Sequence, residues 1–203
     1  MAIFLHHNDL PKDVVFKGSV AIDTETMGLN PLRDRLCLVQ LSAGDGDCHI
    51  VKFGKGQYEA PHLKALLGDQ NVTKIFHFAR FDIGVLWVYL NVLTTPVYCT
   101  KIASKLVRTF TQYHGLKNLC ADLLAVEISK KEQSSDWGAE QLTPEQLEYA
   151  ASDVLHLHKM KAKLDDMLAR EGRVALAEAC YEFLPHRSIL DVAGFGEDDI
   201  FSH

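Results

Sequence analysis

Val20-Ala21-Ile22-Asp23-Thr24-Glu25-Thr26 carries a short apolar run into two carboxylates. The run predicts a buried strand over residues 20–23. Successive side chains of a strand point to opposite faces, so Asp23 and Glu25 share one face and Thr24 points away. Two anions held that close repel one another unless a cation joins them. A divalent metal is the economical explanation, and the rest of the chain can be searched for further ligands.

Working outward, residues 35–41 and 48–53 predict two more strands. Gly28-Leu29-Asn30-Pro31 and Gly44-Asp45-Gly46-Asp47 supply the turns, giving an antiparallel meander. Residues 60–67 read as a short helix closed by Gly68. Then strands over 74–77 and 97–100 alternate with helices over 81–90 and 101–106. That rhythm predicts parallel strands covered by helices, hence an α/β domain with a mixed sheet. Residues 116–123 read as helical and 130–138 as a polar loop. Thr143-Pro144-Glu145-Gln146 is a helix start, with a threonine cap, proline in the first turn and glutamine three residues after the cap. That helix is expected to run through Tyr149 and Asp153 toward Arg170. A further helix over 174–184 precedes an acidic, glycine-bearing tail over 194–203, which reads as loose.

A chain of 203 residues suffices for one well-packed domain and is short for two. The net charge of −6 argues against a broad nucleic-acid-binding surface. It leaves room for a nucleic-acid enzyme, because a metal cluster and a local basic groove can neutralise a substrate that the average surface repels. No run reaches the roughly 18 apolar residues of a membrane span. Cys37, Cys48, Cys99, Cys120 and Cys180 are odd in number and scattered without a CxxC pair, which favours a reducing, cytoplasmic setting.

Two more acids invite attention. Asp82 follows a predicted strand at the start of a helix. It reads either as an aspartate favoured by the helix dipole or as a site residue at a strand end. Asp153 lies one turn after Tyr149 on a face shared with Ala150, Val154, Leu157 and Met160. A carboxylate there needs a partner if it approaches the core. The alternatives are a solvent-facing position or an ion pair. Four carboxylates can hold two hard cations roughly 4 Å apart, one activating a water and the other stabilising the leaving oxygen of a phosphodiester. Tyr149 could hold or polarise that water, but its high reference pKa makes it a poor base.

The surroundings of these residues resemble a known family. The stretch 20–26 is similar to the first motif of the DEDD exonuclease superfamily. His77-Phe78-Ala79-Arg80-Phe81-Asp82 is similar to the second, and Tyr149-Ala150-Ala151-Ser152-Asp153 to the third. Tyrosine at position 149 matches the DEDDy branch. Leu38-Val39-Gln40-Leu41-Ser42, Gly115-Leu116-Lys117-Asn118-Leu119 and Ser135-Asp136-Trp137-Gly138 resemble the ribonuclease D context. The resemblance covers about residues 15–170.

It implies an RNase-H-like exonuclease fold with a mixed five-stranded sheet. It also implies 3′–5′ release of nucleoside 5′-monophosphates from RNA 3′ ends with two divalent cations, Mg2+ or Mn2+. Asp23 is carried over as the bridging ligand, Glu25 and Asp153 as partners on the water-activating ion, Asp82 on the other ion, and Tyr149 as the residue that aims the water. Single-stranded DNA is an alternative substrate, because metal and phosphate motifs do not distinguish sugars. A catalytically retired nucleic-acid-binding protein is the remaining alternative.

Relatives with accessory helical domains are longer. This chain resembles short forms with one exonuclease domain, over 1–203 with an acidic end over 174–203, and leaves homo-oligomers open. For substrate contact the candidates are Thr26 and Gly28, with Leu29 as either a base-packing residue or a loop anchor. His77 and Phe81 read as substrate contacts or as core. Gln112 and Lys117 belong to a region where the resemblance suggests nucleic-acid contacts. Lys101, Lys105, Arg108, Lys117, Lys130 and Lys131 form a loose basic series able to track phosphates or simply face solvent.

Overall fold

The computed structural model describes residues 2–129 and 131–202. The first strand, β1 (Ile3–His7), is followed by the meander β2 (Ser19–Thr26), β3 (Leu36–Ser42) and β4 (Cys48–Lys52). Then come α1 (Pro61–Gly68), β5 (Thr73–Phe76), α2 (Ala79–Leu90), β6 (Val97–Cys99), α3 (Thr100–Val107) and α4 (Leu116–Leu124). The chain continues through α5 (Pro144–Leu155), α6 (Leu157–Arg170) and α7 (Val174–Leu190), ending in a π turn at Asp191–Phe195.

The sheet order is β1-β4-β3-β2-β5-β6. The meander is antiparallel, while β1 on β4, β5 on β2 and β6 on β5 are parallel. The mixed α/β sheet is as expected, but it has six strands rather than five. The added strand is β1, an edge strand whose register runs from Ile3 opposite Cys48 to His7 opposite Lys52. At the centre, β3 is buried at every position, as a strand covered on both faces must be.

The expected helix over 143–170 is two helices. Its start is as read: Thr143 and Gln146 form the full capping box, with Pro144 in the first turn. It breaks at His156, which ends α5 and begins α6. The last helix runs on to Leu190 through Pro185 rather than stopping at 184. The tail is pinned at its start: Arg80 on α2 donates to Asp191 and to the carbonyl of Gly196, and Arg187 donates to the carbonyls of Phe195 and Gly196.

The site is positioned by α5, which packs across β2, β3 and β4, and by α2, which packs on β2 and β5 and against α7. The loop leading into α5 is stapled to the meander. Lys52 donates to the carbonyls of Ala139 and Glu140 at 2.6 Å, and Arg35 donates to that of Gly138 at 3.3 Å. Four of the five cysteines are buried, Cys180 is exposed, and all are free thiols.

Candidate active site

Asp23 and Glu25 stand at the end of β2 because strand periodicity sets them on one face. There they meet α5, whose Asp153 reaches down one turn after Tyr149. Asp23, Glu25 and Asp153 each offer a carboxylate oxygen within 4.8 Å of the others, and all three are partly buried. The trio floors a cleft also lined by Thr26, Gly28, Leu29, His77, Phe81 and Lys117.

Asp82 lies in the first turn of α2 and is buried. It is outside the trio. Thr24 Oγ1, on the opposite face of β2, donates to Asp82 Oδ1 at 2.7 Å. Strand alternation therefore sends Thr24 away from Asp23 and Glu25, as expected, but directly to the fourth acid. Asp82 stands near enough to the trio for its charge to act on Asp23 and Glu25. Phe78 sets the entry to α2 in the left-handed region at φ 67, uncommon for a non-glycine residue, and its ring carries Lys101 Nζ 4.0 Å from the centroid.

The electrostatics follow from this crowding. Burial, then the charges of Asp82, Asp153 and Glu25, push Asp23 well above the usual carboxylate range. Burial, then Asp153 and Asp82, push Glu25 up to about 9. Burial raises Asp82 to about 7 against the lowering effect of its Thr24 hydrogen bond. Such a cluster is unstable as a set of bare anions and suits a hard cation with an all-oxygen donor set. The trio contains no thiolate or imidazole. The residues present fit divalent metal.

Tyr149 lies over the same floor. Its phenol is pushed up by burial and by Asp153, Glu25 and Asp23, so it stays protonated and serves as a donor, not a base. Its ring centroid sits 6.0 Å from that of Trp137, which is buried in the loop before α5.

Among the other candidates, Thr26 donates its hydroxyl to the Gly28 carbonyl, which tightens the turn beside the metal motif. Gly28 has little room for a side chain, since a Cβ would meet Asp34 Oδ2 at 2.4 Å. Leu29 projects into solvent at 87% exposure, so it is not a core anchor here. His77 lines the cleft and is tied through Nδ1 to Thr100 Oγ1 at 2.9 Å. Burial and then Lys101 lower it to about 3, so it is a neutral imidazole.

Gln112 is exposed and lies away from the cleft lining. The basic series does not act as one surface. Arg108 is buried, donates to the Tyr113 carbonyl and pairs with Asp122, while Lys101 and Lys117 line the cleft. Lys130 lies outside the described residues.

Comparison with known proteins agrees with this geometry. A family profile described as 3′–5′ exonuclease matches residues 6–169. A structure of Brucella melitensis NrnC with bound Mg2+ is 56% identical, covers 100% of both chains and superposes with a TM-score of 0.96. The same protein bound to pGG is 57% identical, over 100% of this chain and 99% of that one, at 0.97. Ribonuclease D of Gluconacetobacter diazotrophicus is 37% identical over 155 residues, 76% of this chain. The chain spans about two fifths of the length of such curated relatives, 39% in that case. With three exonuclease motifs converging at one cleft and a profile match over most of its length, the chain belongs to the 3′–5′ exonuclease family.

Proposed function

We propose that this protein is a metal-dependent 3′–5′ exoribonuclease that removes nucleoside 5′-monophosphates from RNA 3′ ends. The observation that carries the reading is the carboxylate trio of Asp23, Glu25 and Asp153 within 4.8 Å at the floor of a cleft. In this reading Asp23 would serve both of two divalent ions, Glu25 and Asp153 would complete the site of one, and Asp82 would help hold the other. Bound Mg2+ or Mn2+ would activate the attacking water and stabilise charge on the leaving oxygen. Tyr149, protonated, holds that water in line by donating or accepting one hydrogen bond. Thr26 and the Gly28 turn border the terminal ribose, Leu29 and Phe81 offer apolar surface to bases, and Lys117 offers charge to the backbone phosphates.

The Mg2+ and the pGG bound by Brucella melitensis NrnC support a metal site and a very short oligonucleotide as one substrate. The free, mostly buried thiols support a reducing, cytoplasmic location. Among the described residues no helix is long and apolar enough to cross a membrane. Strands and helices from both ends of the described chain join one sheet and its cover, which supports a single exonuclease unit.

The test is direct. Purified protein is incubated with 5′-end-labelled RNA and DNA in Mg2+, Mn2+ or chelator. Stepwise RNA shortening that disappears with chelator and in Asp23→Asn is expected. Equal or faster shortening of DNA would overturn the RNA preference, and no shortening of either in any metal would overturn the enzyme assignment.

A further inference from the structure

Gln40 is fully buried in β3, and neither its side-chain nitrogen nor its oxygen has a hydrogen-bond partner. Buried polar groups are almost always satisfied, and an unsatisfied amide in a sheet core calls for a physical reason. Leu or Met would fill the same volume without a stranded dipole.

The register supplies the reason. Gln40 is the direct antiparallel partner of Asp23. Residues directly opposite one another on antiparallel strands share a face, with Cβ atoms about 5 Å apart. Gln40 therefore stands beside Asp23 and projects to the same face, which α5 covers with buried Ala150, Ala151 and Val154. Its other cross-strand neighbour is Ile50, which offers no polar atom. The neighbouring pairs on this face are Ala21 with Ser42 and Glu25 with Leu38. Ser42 is already committed, donating to the carbonyl of Asp47 at 2.7 Å. Asp23 is the cross-strand group left for the Gln40 amide to serve.

We propose that Gln40 is a positioning residue for the metal centre, its side-chain N–H held in reserve for the Asp23 carboxylate. A carboxylate shared between two cations has its lone pairs directed at the ions, and its orientation must be fixed from behind. A neutral amide does this without adding charge, donating to Asp23 directly or through one enclosed water. Groups that orient metal ligands in this way commonly contribute 10-fold to 100-fold in metal affinity. The inference rests on the assignment of Asp23 as a metal ligand.

The experiment measures Mn2+ binding to chelator-stripped protein by calorimetry and by the loss of free-Mn2+ paramagnetic resonance signal. The proteins compared are wild type, Asp23→Asn, Gln40→Leu and Gln40→Met, with melting temperatures taken without metal. Gln40→Leu or Gln40→Met should weaken Mn2+ binding by about 10-fold or more while the stripped protein melts at or above the wild-type temperature. Wild-type Mn2+ affinity in a folded Gln40 variant would overturn the inference. So would a lowered melting temperature with unchanged affinity, since that is the result of a purely structural role. If Gln40→Leu fails to fold, the longer, unbranched Gln40→Met carries the test. If wild type and Asp23→Asn bind Mn2+ equally, the metal-ligand assignment itself has failed, which is a separate outcome.

Discussion

Protons and cations should compete for the carboxylate cluster, with a measurable stoichiometry. Glu25 is raised to about 9, so at pH 7.5 it holds a proton that an incoming cation must displace. Removing that proton at a pH 1.5 units below the pKa costs about 2 kcal/mol, or about 30-fold in affinity. Affinity for Mn2+ should therefore rise by about tenfold or more per pH unit below pH 9, because Glu25 and the likewise raised Asp23 both release protons to the cation. Below pH 7 the proton on Asp82 joins and the dependence steepens. Calorimetric titration at pH 7, 8 and 9, repeated in buffers of different ionisation enthalpy, counts the protons directly. Affinity that is constant from pH 7 to 9, with heats independent of buffer, would refute the electrostatic reading.

The same groups set the stability of the chelator-treated protein. A folded pKa raised above the ordinary carboxylate value favours the protonated folded state. That contribution is whole below pH 4.5 and is lost as pH rises toward 9. Stripped protein should thus lose melting temperature on this account between pH 5 and 9, with Mg2+ restoring it at the alkaline end.

Three further outcomes are expected. Thr24→Val removes a buried hydroxyl–carboxylate bond of about 1.5–3 kcal/mol, raising the proton affinity of Asp82 by about one pKa unit or more. The acid limb of its pH–rate profile should move upward and Thr24→Ser should move it back; an unshifted profile counts against the contact. Tyr149→Phe should lower kcat by about 100-fold while Mn2+ affinity stays within about twofold, and single-turnover kinetics beside calorimetry will tell whether the two separate. Gly44→Ala forces a side chain onto a residue at φ 80 with its Cβ 2.7 Å from the His158 ring, so a loss of about 2 kcal/mol and about 4–8 °C in Tm is expected, against which an unchanged melting curve would speak.

Local chemistry made part of this protein legible from sequence. Strand alternation alone put Asp23 and Glu25 together, and the capping pattern at Thr143 marked the start of α5 to the residue. The unread features depend on distant partners. Strand β1 pairs with β4 across more than forty residues of chain, so no local pattern announces it. The break at His156 carries neither glycine nor proline, and the apolar positions Ala150, Val154, Leu157 and Met160 keep a helical spacing across it. Arg108 belongs to a basic series read as tracking phosphates or facing solvent, and it does neither, because a partner fourteen residues on, Asp122, holds it buried. Asp82 was readable as a simple helix-start acid because its Thr24 contact spans 58 residues. Gln40 appeared only as family context; its register with Asp23 supplies its meaning.

The clamp between Arg80 and Asp191 reaches beyond the tail it pins. Arg80 sits two residues before Asp82, in the same first turn of α2. The segment after Leu190 is thereby a mechanical brace on one wall of the cleft, although the family match ends at residue 169. A protein cut after Leu190 would keep every acid of the cluster and lose the tether of the helix that carries one of them. The boundary of the chemistry and the boundary of the machine are thus different places along this chain.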